Sequence, residues 1–289
     1  MQTKRLNMMK RFISLFTSNN FKLRTISALI MAPIAIITVY LGSFVFDAAV
    51  IVAMAIALYE WLRMVAPNFS TRNVSIACGL LIGLLAIGGL ISLTLGVWLL
   101  AVFTVFLFTL SKFGNGLEKS SWIAFGLPYI GGAGLALMAI RAGSTPEFQF
   151  PEPNSGIMFF LIAIVWASDV GAYLFGKIIG GRKLAPRISP NKTISGCIGG
   201  VFLAAVCGYA VAHVFGASNI HYVLYISIIL SVVSQLGDLF ESHMKRKANI
   251  KETGDLIPGH GGVLDRIDGL LFASVALFCT EYFFGIVWQ

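Results

Sequence analysis

Apolar runs close to 20 residues long recur from near Ile26 to the end of the chain, separated by short polar or basic interruptions. As a helix, a run of that length crosses the roughly 30 Å hydrocarbon core of a bilayer. Nine such spans are predicted, at roughly 26–46, 48–65, 74–92, 95–111, 121–140, 157–176, 194–215, 221–240 and 269–288. The pattern is that of an all-α polytopic membrane protein with about nine transmembrane helices. No internal repeat and no soluble domain of any size interrupts it. Three regions are expected: a basic N-terminal segment (1–25), a transmembrane scaffold (26–120) and a C-terminal transmembrane catalytic region (121–289). The first long apolar run begins late and no small-residue cleavage site follows it, so a cleaved signal peptide is not expected.

Composition agrees with the pattern. Hydrophobic residues make up 57% of the 289 and charged residues only 12%, about half the charged share of soluble domains, and the mean hydropathy is +0.84. Cys78, Cys197, Cys207 and Cys279 lie in or beside apolar runs without metal-ligand spacing, and read as small buried hydrophobes rather than a disulfide framework.

The net charge of +8 points to topology and an anionic partner at one membrane face, not to nucleic acid. With a cytoplasmic N-terminus, nine spans place segments 1–25, 63–73, 112–119, 177–192 and 241–268 inside. These hold every Lys and Arg of the 21 except Arg141. Positive charge resists translocation, so the asymmetry supports both the span count and the orientation.

The polar residues that composition does not explain gather in GDLFESHMKRKANIKETGDLIPGHGGVLDRID, residues 237–268. Asp238 is expected in the last turn of span eight. Asp265 and Asp268, three apart, share one helix face at the start of span nine. Acids at a helix start also serve as caps, but three hard oxygen donors from two helix ends suit Mg²⁺ acting on phosphates. Lys245, Arg246, Lys247 and Lys251 precede Pro258-Gly259-His260-Gly261-Gly262. Glycines there prevent a regular helix and let backbone N–H groups approach a ligand, a combination suited to a nucleoside triphosphate. Upstream, Ser189-Pro190-Asn191-Lys192-Thr193 at the start of span seven reads as an anion-binding turn. Asp169, deep in span six, is open between an ion pair with Lys177 or another cation and a direct catalytic role. Glu60, near the inner end of span two, reads as interfacial and solvated.

The ordered series Ser242-x-x-Lys245-Arg246-x-x-x-x-Lys251-Glu252-x-Gly254-x-x-x-Pro258-Gly259-His260-Gly261-Gly262-x-x-Asp265-Arg266-x-Asp268 closely resembles the signature of phosphatidate cytidylyltransferases, also called CDP-diacylglycerol synthases. Gly237-Asp238, the Ser189 to Thr193 loop, Asp169 with Gly171-Ala172-Tyr173, and Glu60-Trp61 extend the resemblance. The chain departs from it at Glu252, where Asp is usual, and at Ile194-Ser195, where an aromatic residue and Glu or Gln are usual.

The resemblance implies an integral enzyme of the bacterial cytoplasmic (inner) membrane that turns CTP and phosphatidate into CDP-diacylglycerol and pyrophosphate. It implies Mg²⁺, with a second cation such as K⁺, and a homodimer. Carried over by position, Asp238, Asp265 and Asp268 are the expected metal ligands and, with Lys245 and Arg246, the expected catalytic set. Ser189, Lys192, Thr193, Lys251, His260, Gly261, Gly262 and Arg266 are expected to bind substrate at the cytoplasmic interface. A cytidylyltransferase for another lipid phosphate, ether-linked or polyprenyl, is the nearest alternative. A secondary transporter is a more distant one.

Overall fold

The computed structural model describes residues 19–142, 155–217, 219–257 and 261–284. Nearly all of these are helical: α1 (Asn19–Leu41), α2 (Ser43–Val65), α3 (Thr71–Leu90), α4 (Leu93–Gly126), α5 (Gly132–Ala142), α6 (Ser155–Ile178), α7 (Ile194–Val214), α8 (Ile220–Lys247) and α9 (Leu264–Phe284). Seven segments among the described residues are long and apolar enough to cross a membrane: Phe44–Val65, Thr71–Leu90, Leu93–Lys112, Gly114–Ala142, Ser155–Ile178, Ile194–Val214 and His221–Lys247. The first and last expected spans fall on α1 and α9.

The expected break between the fourth and fifth spans, at 112–119, is a kink that divides α4 into two helices, where Gly116 takes φ 73° and ψ 167°, a backbone region open to glycine. Two details depart from the sequence expectation. The fifth span then runs through a π turn, Leu127–Gly131, where Pro128 lacks the N–H that a regular helix would use. The 177–192 segment is not purely helical or looped either: β1 (Lys183–Ala185) and β2 (Ser189–Thr193) pair antiparallel. Cys78, Cys197 and Cys207 are half-buried rather than fully buried, and Cys279 is exposed.

The C-terminal helices pack most intimately. On α7, Gly196, Gly200, Ala204, Gly208 and Ala212 recur at every fourth position, and all are buried. A Cβ on Gly200 would come within 2.7 Å of the Ser168 carbonyl oxygen, and one on Gly171 within 2.6 Å of that of Gly199. Small residues thus let α6 and α7 meet backbone to backbone, the packing that helices in lipid favour. Ser168 Oγ lies 2.8 Å from Ser231 Oγ, and Gln235 Nε2 donates to Ser168 Oγ and to the Cys197 carbonyl, both at 3.2 Å. These bonds tie α6, α7 and α8 together. In the N-terminal half, Trp61 is fully buried, donates Nε1–H to the Trp122 carbonyl (2.9 Å), and packs against Tyr129 and Phe240.

Candidate active site

No Gly or Pro lies between Phe240 and Lys247, so α8 runs about two turns beyond the end its apolar pattern predicts. Lys245, Arg246 and Lys247 are therefore helical, and Asp238 stands well before the helix end rather than in its last turn. Asn249 stops the helix in a left-handed conformation (φ 57°), while Ile250 N–H donates back to the Lys245 carbonyl (2.9 Å). Such a stop satisfies carbonyls that a helix end leaves open.

The extension carries Lys245 to the head of α9. Its Nζ lies 2.5 Å from Asp265 Oδ1 and 3.0 Å from Glu241 Oε1, one turn back along α8. All three groups are buried, and Glu241 Oε2 has no hydrogen-bond partner among the described residues. Asp265 Oδ2 accepts three further bonds: Thr253 N–H (2.8 Å), Gly262 N–H (2.9 Å) and Thr253 Oγ1–H (3.0 Å). Asp265 lies ahead of the apolar stretch that begins at Gly269. Burial pushes its carboxyl up, but the Lys245 ammonium and the Thr253 and Gly262 N–H groups outweigh burial and hold it below the usual range.

Glu60 is the largest correction to the sequence reading. It is 5% exposed, and it crosses from α2 to the start of α9. Its Oε1 accepts Val263 N–H (3.0 Å), and its Oε2 accepts Leu264 N–H (2.8 Å) and Thr253 Oγ1–H (3.2 Å). The carboxylate is enclosed by Thr253, Gly254 and the 262–264 backbone instead of solvated. The N–H groups of Gly262, Val263 and Leu264 are thus taken by two protein carboxylates, Asp265 and Glu60. A Cβ on Gly262 would lie 2.3 Å from Thr253 Oγ1 and 2.4 Å from Glu60 Oε2, and one on Gly254 would lie 2.8 Å from Glu60 Oε1. Gly261 has φ 84° and exchanges both backbone bonds with Ile257. His260 lies outside the described residues. A cavity of about 290 Å³ opens beside Thr253, lined by Arg63, Pro67, Ile250, Glu252 and Asp255 among others.

The hairpin supplies the other side of the site. Lys192, on β2, forms an ion pair with Asp238, whose Oδ1 accepts from Ser242 Oγ (3.3 Å). Thr193 is buried, and its hydroxyl caps α7 by accepting Gly196 N–H (3.1 Å). The expected anion-binding turn is therefore a strand leading into a helix that is already capped. Ser189, half-buried, opens the same strand. Arg246 is a strap: its Nε donates to the Ile188 carbonyl (3.3 Å) and its Nη1 to that of Ile250 (3.0 Å). Lys251 and Arg266 are exposed. Asp169 lies close enough to Asp238, Lys192 and Arg266 to feel their charges, and Asp268 feels Glu241, Asp238 and Asp169.

Of the expected metal ligands, Asp265 is engaged through both oxygens and Asp238 by Lys192 and Ser242, and among the described residues no three His, Cys, Asp or Glu side chains are grouped together. The arrangement sets cations beside acids at one end of the bundle. Glu241, Thr253 and the role of Glu60 escaped the sequence reading. The Glu241 to Lys245 spacing of four is a visible signal, but the Glu60 bonds join residues about 200 positions apart.

The profile of the Cytidylyltransferase family matches residues 22–284. Curated relatives named phosphatidate cytidylyltransferase, from Brucella suis and Brucella melitensis, are each 39% identical over 274 residues, covering 93% of this chain and 94% of theirs. One of the same name from Staphylococcus aureus is 43% identical over 144 residues, 48% of this chain and 55% of its own.

Proposed function

This chain belongs to the cytidylyltransferase family, and from that premise we propose that it transfers the cytidylyl group of CTP to phosphatidate, giving CDP-diacylglycerol and pyrophosphate. The observation that carries this reading is the likeness, along nearly the whole chain, to relatives named for that reaction. The geometry supports it by gathering Lys192, Arg266 and the Lys245–Asp265 pair at one end of the bundle.

A phosphatidate oxygen forms a bond to the α-phosphorus of CTP, and the bond from that phosphorus to the bridging oxygen of the β-phosphate breaks. The attacking oxygen is already anionic, so no strong base is required. What the protein supplies is alignment and compensation of the charge that builds up on phosphorus and on the departing pyrophosphate. Lys251 and Arg266, both exposed, are proposed to receive phosphates, with Lys192 exchanging its carboxylate partner for one. Mg²⁺ is proposed to arrive with the triphosphate, as it commonly does; no step here runs through an ion held by the protein alone. The basic end is proposed to face the cytoplasm at a bacterial inner membrane, so that the lipid enters sideways from the leaflet. A homodimer rests on the resemblance alone.

Pyrophosphate release by purified protein in detergent tests the reading. With CTP, Mg²⁺ and phosphatidate, release should require both substrates, fail with ATP and yield a CDP-lipid. It should fall at least about 100-fold in Asp265→Asn, the scale of losing one placed electrostatic group. No turnover by folded protein across several lipid phosphates would overturn it.

A further inference from the structure

We propose that Glu60 is a positioning residue for the transfer, acting through Thr253 and the head of α9 to hold Asp265, Gly254 and Gly262 in register with the reacting phosphates. This deepens the function proposed above and rests on it.

Glu60 comes from α2, in the half of the chain otherwise read as scaffold. Its carboxylate is buried, yet no Lys or Arg lies within ion-pair distance of it among the described residues. Its charge is answered by two backbone N–H groups at the start of α9, where the helix dipole favours an anion, and by the Thr253 hydroxyl. A residue that only filled space there could be apolar. A buried carboxylate needs donors in fixed places, and it therefore fixes the segments that carry them.

Those segments are the ones that hold Asp265. Thr253 has one hydroxyl hydrogen, which faces Glu60 Oε2 at 3.2 Å and Asp265 Oδ2 at 3.0 Å, so the two carboxylates share one donor. Val263 and Leu264, bound by Glu60, immediately precede Asp265 in sequence. Gly254 and Gly262 lack room for a Cβ because Glu60 oxygens sit there. Gly254 and Gly262 are thus fitted around a side chain from α2. Displacing that side chain changes where Asp265 points without touching either substrate.

The test compares Glu60→Gln, Thr253→Val, Thr253→Ser and the double variant Glu60→Gln/Thr253→Val, with CTP and phosphatidate varied separately and activity expressed per folded molecule. Misplacing a reacting geometry by about 1 Å costs on the order of 100-fold. Glu60→Gln is therefore expected to lose about that factor in kcat, while KM for phosphatidate stays within about threefold. Thr253→Val should lose a smaller factor, most of which Thr253→Ser recovers. The double variant should be no worse than Glu60→Gln alone, because the two residues act along one path.

Full kcat in Glu60→Gln, losses that multiply in the double variant, or a loss confined to the unfolding midpoint would overturn the proposal. If Glu60→Gln does not fold, the Thr253 pair decides, and equal kcat in Thr253→Val and the parent protein would overturn it. An inactive parent protein would instead count against the function on which the proposal rests.

Discussion

At the scale of single residues, the site is defined by buried carboxylates, of which Glu60 and Asp265 have their donors arranged while Glu241 relies on Lys245. Lys245 stands between Glu241 and Asp265, so removing it leaves two buried acids facing one another. Truncating one partner of such a group typically costs about 3–5 kcal/mol. Lys245→Met should lower stability on that scale, and adding Glu241→Leu should restore part of it; thermal unfolding in detergent measures both. Gly262 gives a sharper contrast. A methyl group there meets Thr253 Oγ1 and Glu60 Oε2 far inside contact distance, so Gly262→Ala should cost about 1–3 kcal/mol through overpacking and abolish most turnover. Gly83→Ala, where nothing lies within 4 Å of the new carbon, should leave both unchanged. Both glycines are plain in the sequence, but only Gly262 faces an oxygen from a helix two hundred residues away.

At the scale of elements, the chain's hydrophobic pattern was enough to place the spans, because a lipid-crossing helix must be apolar along its whole length. It was not enough to end α8. Lys245, Arg246 and Lys247 look like a loop when hydropathy marks the boundary, yet the pairing of Lys245 with Glu241 and Asp265, of Lys247 with Glu118 and of Arg246 with the Ile188 and Ile250 carbonyls keeps them helical outside the apolar zone. The hairpin was hidden for a related reason: β1 is only three residues long and β2 carries no alternating apolar pattern, so they owe their pairing to one another and to the Arg246 strap. On α7 the fourfold spacing of small residues stands in the sequence, but the backbone it meets on α6 does not. Gly200→Leu should therefore break the α6–α7 contact, lowering the unfolding midpoint and the yield of monodisperse protein. Ile198→Leu, two positions away and 65% exposed, should do neither.

At the scale of the whole molecule, side-chain bonds test the alternation of spans without reference to charge. Glu60 reaches Val263, Glu118 pairs with Lys247, Arg246 holds Ile188, and Lys192 meets Asp238. These contacts bring the ends near 65, 116, 190 and 247 together at one end of the bundle. Arg141, the one cation expected at the other end, donates to the Val39 carbonyl (3.0 Å), beside the turn between α1 and α2. Four of the five segments grouped by the positive-inside argument are thus grouped by contact, the fifth, 1–25, lying largely outside the described residues, and the end they share is the end with the site. Which compartment that end faces is an independent matter, and labelling decides it. In a background with the four native cysteines replaced by Ala, Lys183→Cys lies at the basic end and Ile91→Cys, 76% exposed, in the turn between α3 and α4 at the opposite end. A membrane-impermeant maleimide should label Ile91→Cys in intact cells and Lys183→Cys only in inverted vesicles. The reverse pattern would turn the site away from the cytoplasm, and the charge asymmetry would then need a cause other than the cost of moving Lys and Arg across the bilayer.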